Sequence, residues 1–315
     1  MMKKIITVTL NPAVDFTVNV KNFTVDRVNR ASAGRRDPGG KGINVATALA
    51  EGGFKPWVTG FLGKENSALF GTHFSRYSME DRFLLVDGAT REGIKLIDPE
   101  KSHITDINFP GFDVSPGLLQ QFLVRFTQSV KDADYLVLSG SLPRGVPVDI
   151  YGTLSAIGRE AGAFVAVDTS GEALRSLINR GGADLIKPNL DELIEIDKTL
   201  RESENPLEEV GAFYDRLKEK IPYLALSLGE QGSRLYSPEG FLSASAPTVD
   251  LKSTVGAGDT YLAGLIAGLA HSLSLKECLV NAASWAASTL TQIGPGLNGD
   301  TPPELYRSRV RIRPF

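Results

Sequence analysis

The chain has little of what would tie it to an oxidised, metal-rich or membrane setting. It carries one cysteine, Cys278, which excludes an internal disulfide and a thiol-rich metal site. Cys278 falls in the apolar helical pattern Leu275 to Trp285 and reads as a small core residue. The three histidines, His73, His103 and His271, share no metal-ligand spacing and read as ordinary surface or core residues. No apolar run approaches the ~18 residues that a bilayer span needs. Ile5 to Leu10 is too short for a signal-peptide core and lacks a small-residue cleavage pattern, so it reads as a first buried strand. A net charge of −3 provides no global field for nucleic acid or acidic membranes. Any phosphate ligand must therefore be held by a local set of basic groups. These absences point to a globular, cytoplasmic protein with neither nucleic acid nor membrane as partner.

What is present centres on Ser253-Thr254-Val255-Gly256-Ala257-Gly258-Asp259-Thr260. Phe241 to Val249, before it, reads as strand and turn. Tyr261 to Ala270, after it, is apolar and too long for a strand. The stretch is thus a tight turn feeding a helix N-terminus, where unpaired backbone N–H groups and the helix dipole make an anion site. Asp259 beside that site is either a base that orients a substrate hydroxyl or a helix-capping residue. Taken alone, Gly-Ala-Gly-Asp fits both.

The first third holds a second such turn, Asp37-Pro38-Gly39-Gly40-Lys41-Gly42-Ile43-Asn44, leading into a helix. It lacks Walker A spacing, since Arg35 stands where the first Gly should be and Gly42 replaces Ser or Thr. Lys41 at a helix start opposes the dipole, and an anion there would settle the conflict. Asp15 to Val20, Gly93 to Asp98 and His103 to Phe109 alternate polar and apolar, as half-exposed strands do. The last two form a hairpin through Asp98-Pro99-Glu100-Lys101-Ser102. With residues 12–34 they predict a small separate sheet, a lid or a dimer face.

The remainder alternates strand and helix. Tyr135–Ser139, Phe164–Asp168, Asp184–Lys187 and Tyr223–Leu228 are apolar on both faces, as parallel strands between helix layers are. Polar groups gather just after their ends, at Ser139-Gly140-Ser141, Asp168-Thr169-Ser170-Gly171, Lys187-Pro188-Asn189 and Leu228 to Gly232. That edge is where open α/β sheets bind ligands. Asn189 and Glu192 share the first turn of a helix and form either a capping box or a Mg²⁺ pair; spacing favours the cap. Gly294 to Gly299 has dinucleotide-fingerprint spacing but follows a helix, so it reads as a turn. Arg307, Arg309, Arg311 and Arg313 alternate like a solvated edge strand. No linker-like break divides the chain after Gly111, and residues 1–315 read as one domain with lid segments at about 12–34 and 89–110.

Together these motifs resemble the ribokinase superfamily, and within it the phosphofructokinase-B type sugar-phosphate kinases. The resemblance runs nearly end to end. It rests on Thr7 to Asp15, Gly39 to Ala46, Ser139 to Pro143, Asp168 to Leu174, Lys187-Pro188-Asn189 and Ser253 to Asp259, in that order. It implies a three-layer α/β/α sandwich with a mostly parallel central sheet and a small β-lid that clasps a homodimer. It implies ATP as phosphoryl donor, Mg²⁺, and a sugar phosphate as acceptor. The first acceptor is D-fructose 1-phosphate, phosphorylated at O6 to fructose 1,6-bisphosphate. Tagatose 6-phosphate and fructose 6-phosphate are the alternatives within the class, and a non-catalytic sugar-phosphate sensor is the alternative outside it.

By the same resemblance, Asp259 is the base, with the low pKa expected at a helix N-terminus, and Gly256, Ala257 and Gly258 form the anion hole. Asn189 and Glu192 become the Mg²⁺ pair, through water, in place of the cap. Lys187, Asn189, Ser227, Gly229, Gly232 and Gly258 lie on the nucleotide side, with Asn281 touching adenine. Asp15, Gly39, Gly40 and Asn44 hold sugar hydroxyls. Lys41 and Arg91 grip the acceptor's existing phosphate, with Arg30 as a helper from the lid. One departure stands out: Thr90-Arg91 is followed by Glu92-Gly93-Ile94 instead of Ile-Asn-Val. A sugar-contacting asparagine is then missing, and a carboxylate is expected near the phosphate.

Overall fold

The computed structural model describes residues 3–101 and 103–315, with the side chain of Ile104 excepted. Met1 and Met2, and Ser102 of the expected hairpin turn, lie outside the described residues. The centre is a sheet whose parallel strands run in the order Tyr223–Ser227, Leu185–Ile186, Phe164–Asp168, Tyr135–Ser139, Ile5–Thr9, Trp57–Gly63, Glu80–Asp81. Three antiparallel strands extend it at one side: Ser233–Ser237, Gly240–Ala244 and Ile312–Pro314. Of the arginine-rich tail expected as an edge strand, only Arg313 lies in the last of these; Arg307 ends the short helix Glu304–Arg307.

Successive residues of the central strands enter opposite cores. Ile6, Leu136, Leu138, Val165, Val167, Leu224 and Leu226 face helices Pro116–Ser129, Ile150–Glu160, Gly171–Arg180 and Pro206–Leu217. Ile5, Val137, Ala166, Leu185 and Ala225 face helices Lys41–Glu51, Ala257–Ala270 and Leu275–Leu290. Burial on both sides explains why these strands read as unbroken apolar runs, and it fixes their register.

Helix Ala257–Ala270 is the most enclosed of these helices, and small residues let its neighbour come close. A Cβ at Gly264 would stand 2.9 Å from Ala282 Cα, and one at Gly268 2.9 Å from Cys278 Sγ. Cys278 is a buried, free thiol, pushed up to about 11 by burial, in keeping with a packing role. His73 shares a 2.8 Å hydrogen bond with Thr47 Oγ1, and His271 packs on Phe54.

A second sheet of four strands stands apart, in the order Ala33–Gly39, Ala13–Asn19, Glu92–Asp98, His103–Asn108. It includes the expected lid segments and reaches beyond them to Gly39. Asp15, Thr17, Asp37 and Lys95 line a small cavity shared with Val255 and Pro295 of the main body. The alternate set, Phe16, Val18, Ile94 and Leu96, therefore points the other way, where Ile107 and Phe109 stay about half exposed. No helix among the described residues is long and apolar enough to cross a membrane.

The contact at Gly268 makes a prediction. Gly268→Val forces a branched side chain against Cys278 and lowers stability by about 1–3 kcal/mol, read as a lower urea midpoint. An unchanged midpoint would mean that the two helices have slack.

Candidate active site

The site forms where strand ends and two helix N-termini converge. Gly256 has φ +79°, a left-handed conformation that costs a side chain-bearing residue strain. This kink starts helix Ala257–Ala270 without a side-chain cap; Ala257 N donates to Thr254 O at 3.4 Å, and the next amides, of Gly258 and Asp259, have no side-chain capping group. Pro295 backs the kink, since a Cβ on Gly256 would lie 2.8 Å from Pro295 Cβ.

Asp259 lies in that first turn but does not cap it. Its Oδ2 accepts a 2.7 Å hydrogen bond from Asn44 Nδ2, on the neighbouring helix Lys41–Glu51. The low pKa expected from the helix dipole is not found. Burial, and then the nearby Asp168 charge, push the Asp259 carboxyl up to about 6, although Lys41, Asn44 and Lys187 pull the other way. Desolvation outweighs the dipole because Asp259 is only 7% exposed.

Asp168 ends strand Phe164–Asp168 and is buried between two ammonium groups. Lys41 Nζ lies 2.9 Å from its Oδ1, and Lys187 Nζ 3.2 Å from its Oδ2, the latter an ion pair without hydrogen-bond alignment. Burial disfavours the Asp168 charge, but Lys187 and Lys41 more than offset it and hold the carboxyl below its usual range. Lys41 is also 3.8 Å from Glu192 Oε1. Burial works against its charge too, yet Asp168, Asp259 and Glu192 raise its pKa well above the ordinary lysine value. The anion that resolves the conflict of a lysine at a helix start is thus a carboxylate of the protein itself. Lys187 Nζ reaches to 3.4 Å of where a Cβ on Gly258 would stand, so Lys187 borders the Gly256–Gly258 turn, while Lys41 is near enough to Asp259 for their charges to interact.

Asn189 and Glu192 make the capping box that their spacing favoured. Asn189 Oδ1 accepts from Glu192 N at 2.7 Å, and Glu192 Oε2 accepts from Asn189 N at 2.9 Å. The cap leaves Glu192 Oε1 facing Lys41. Among the described residues, no group of three or more His, Cys, Asp or Glu is placed to hold a metal ion. Ser227 bridges to Asn189 across the next strand, and Gly229 and Gly232 shape the loop after it with φ +57° and +92°. Asn281 does not face an open site. Its Nδ2 donates to Gly264 O at 2.7 Å and its Oδ1 accepts from Arg307, so helix packing uses both ends.

The small-sheet side holds a separate set. Asp15 packs over Gly39, whose Cβ would lie 2.6 Å from Asp15 Oδ2, and is paired with Lys95 Nζ at 2.7 Å. Arg91 lies near Asp15. It donates to Phe109 O, and its Nε is buried without a hydrogen-bond partner among the described residues. Lys41 is thus engaged with Asp168, whereas Arg91 lies by Asp15. Arg30 is exposed in the loop joining strands Ala13–Asn19 and Ala33–Gly39. Glu92 does not crowd this pocket either. It is on the outward face, 2.9 Å from Arg36 Nε. At the missing asparagine, Gly93 leaves room into which Asn108 reaches from the paired strand, its Oδ1 3.2 Å from where the Cβ would be. Lys95 went unnoticed in the sequence, where strand parity was its one signal: it alternates with Ile94 and Leu96.

A helix N-terminus without a side-chain cap, a buried carboxylate raised to about 6 and two lysines paired to Asp168 stand together here. Residues 3–302 match the model of the pfkB family of carbohydrate kinases, and the chain belongs to that family. It is a phosphotransferase with an alcohol group as acceptor. Among its relatives, the 1-phosphofructokinase of Rhodobacter capsulatus is 40% identical over 99% of this chain and 97% of its own. That of Haemophilus influenzae is 36% identical over 94% of both chains. The crystal structure of phosphofructokinase-2 from Escherichia coli with potassium superposes with a TM-score of 0.85 at 25% identity. It covers 98% of this chain and 100% of that one. The fold is ribokinase-like, a mostly parallel sheet between helix layers with a separate small sheet.

A raised carboxylate pKa has a stability consequence. Below the unfolded value of 3.8, Asp259 is protonated in both states and has no effect. Between 3.8 and about 6 the unfolded chain ionises while the fold keeps its proton, so stability falls over that window and levels off above it. Asp259→Asn should thus raise stability at pH 8 by about 1–3 kcal/mol, with the gain vanishing below about pH 4. Thermal melts across pH test this; a gain independent of pH would contradict it.

Proposed function

We propose that the protein transfers the γ-phosphoryl group of ATP to O6 of D-fructose 1-phosphate, giving fructose 1,6-bisphosphate and ADP. The observation that supports this best is Asp259, buried at an uncapped helix N-terminus and held by Asn44, in a chain alike end to end to curated 1-phosphofructokinases. In this reading the Asp259 carboxylate accepts the O6 proton as O6 bonds to the γ-phosphorus. The bond to the β–γ bridging oxygen breaks, and ADP leaves with the electron pair. The transition state is loose, so the protein's part is mainly alignment and charge. Amides of Gly256, Ala257 and Gly258 steady the moving phosphoryl group. Lys41 and Lys187 supply positive charge at both ends of Asp168, and Lys187, Asn189, Ser227, Gly229 and Gly232 border the nucleotide.

Mg²⁺ fits this donor set. It keeps most of its waters and needs few carboxylates, and Glu192 Oε1 is not used by the cap. Glu192 would hold it through water beside Asn189, and the ion would screen charge between the donor phosphates. On the acceptor side, Asp15, Asn44 and the Gly39-Gly40 backbone take hydroxyls, and Arg91 takes the phosphate already present. The small sheet acts as a lid on a single kinase domain. Its apolar outer face, with Ile107 and Phe109, suits a homodimer that brings two lids together.

A coupled assay with ATP and each of fructose 1-phosphate, fructose 6-phosphate and tagatose 6-phosphate should show the highest kcat/KM for the first. Turnover with none of them would favour a sugar-phosphate sensor. Asp259→Asn should lower kcat by about 10²-fold or more, as loss of a general base does. For the unaltered enzyme, kcat/KM should fall as pH drops below about 6, where Asp259 takes up a proton. A flat profile there would remove Asp259 as base. Lys41→Ala should cut kcat by about 10²-fold with little change in either KM, the mark of charge needed in the transition state. A rise confined to the sugar-phosphate KM would return Lys41 to the acceptor's own phosphate.

A further inference from the structure

We propose that Lys95 reads the phosphate already on the acceptor, and that its ion pair with Asp15 is exchanged for that phosphate when the acceptor binds. This rests on the acceptor reading above. Lys95 Nζ and Asp15 Oδ2 are 2.7 Å apart, and each side chain is only 18% exposed. Both line the cavity between the lid and the main body. The inner face of strand Glu92–Asp98 carries Gly93, Lys95 and Ile97, and the strands beside Lys95 present Thr17 and Asp106 in register. Asp37, also at this cavity, is paired with Arg35 at 2.7 Å.

The Asp15 carboxylate serves two cations. Lys95 is bonded to it, and Arg91 is close enough to feel its charge while Arg91 Nε stays buried without a partner. Two cations share the Asp15 carboxylate, so a dianionic phosphate arriving beside it meets two donors already gathered in one place. Once a phosphate takes Lys95 and Arg91, Asp15 is released to accept a hydrogen bond from a sugar hydroxyl. Gly39 and Gly93 leave the space around it open, and Asn108 Oδ1 borders the same space. An unphosphorylated ketohexose brings hydroxyls but no anion, so it must break the Lys95–Asp15 pair without replacement. Selection for a phosphorylated acceptor is thereby placed in binding, away from Asp259.

Steady-state kinetics of Lys95→Met, Lys95→Arg and Asp15→Asn test this, with inorganic phosphate as competitor against fructose 1-phosphate. Lys95→Met should raise the KM for fructose 1-phosphate about 10²-fold, as loss of a buried charged contact does, and leave the KM for ATP nearly unchanged. Lys95→Arg should recover most of that loss. Phosphate should inhibit Asp15→Asn at lower concentration than the unaltered enzyme, because Lys95 is no longer engaged, and should fail to inhibit Lys95→Met. Undiminished phosphate inhibition in Lys95→Met, or equal rises in both KM values, would overturn the proposal. An unaltered enzyme that uses fructose 1-phosphate no better than Lys95→Met overturns the Lys95 assignment alone. An unaltered enzyme inert toward fructose 1-phosphate overturns the acceptor reading and this inference with it.

Discussion

One buried carboxylate, Asp168, holds the site in balance. Two helices begin beside it, and a lysine stands near the positive end of each: Lys41 starts one, and Lys187 borders the first turn of the other. Without an anion between them, these ammonium groups would oppose both dipoles and each other. Asp168 takes one on each oxygen at the end of a central strand, where the sheet gives it no freedom to move away. Removing one member of such a buried set leaves an uncompensated charge, so the triad is held together more firmly than any pair within it.

The same carboxylate reaches further. Its negative charge is one of the two causes that push Asp259 upward, so the group that gathers the cations also makes the neighbouring acid a stronger base. An Asp at a helix N-terminus in water would be a poor proton acceptor. Here burial and a like charge oppose the dipole, and Asn44 fixes one oxygen while adding no charge. Charge placement and pKa tuning come from one arrangement, as sites that move phosphate near neutral pH require.

Much of this was legible in local sequence, and the remainder was not for a consistent reason. Period-two alternation gave away the small sheet, and two-sided apolar runs such as Leu136 to Leu138 gave away the parallel core. Gly256 marked the helix start because its left-handed turn leaves few other choices. The Asn189–Glu192 cap was readable because both partners lie in one turn. What could not be read were pairings across the chain: Lys41 with Asp168, 127 residues apart, and Lys95 with Asp15, 80 apart. Asn281 and Glu92 went astray in the same way, since Gly264, Arg307 and Arg36 are brought to them only by the fold. The pKa of Asp259 depends on burial, which no spacing records.

The division between main body and lid also accounts for the Glu92-Gly93 departure. Asp168 and Asp259 come from the large sheet and a helix packed on it, whereas Asp15, Gly93, Lys95 and Asn108 all belong to the small sheet. A change on one lid strand can be answered on the next, as Asn108 does across from Gly93, because paired strands share a face at a fixed spacing. A change at Asp168 has no such neighbour to answer it: its environment is a closed set of charges in a packed interior.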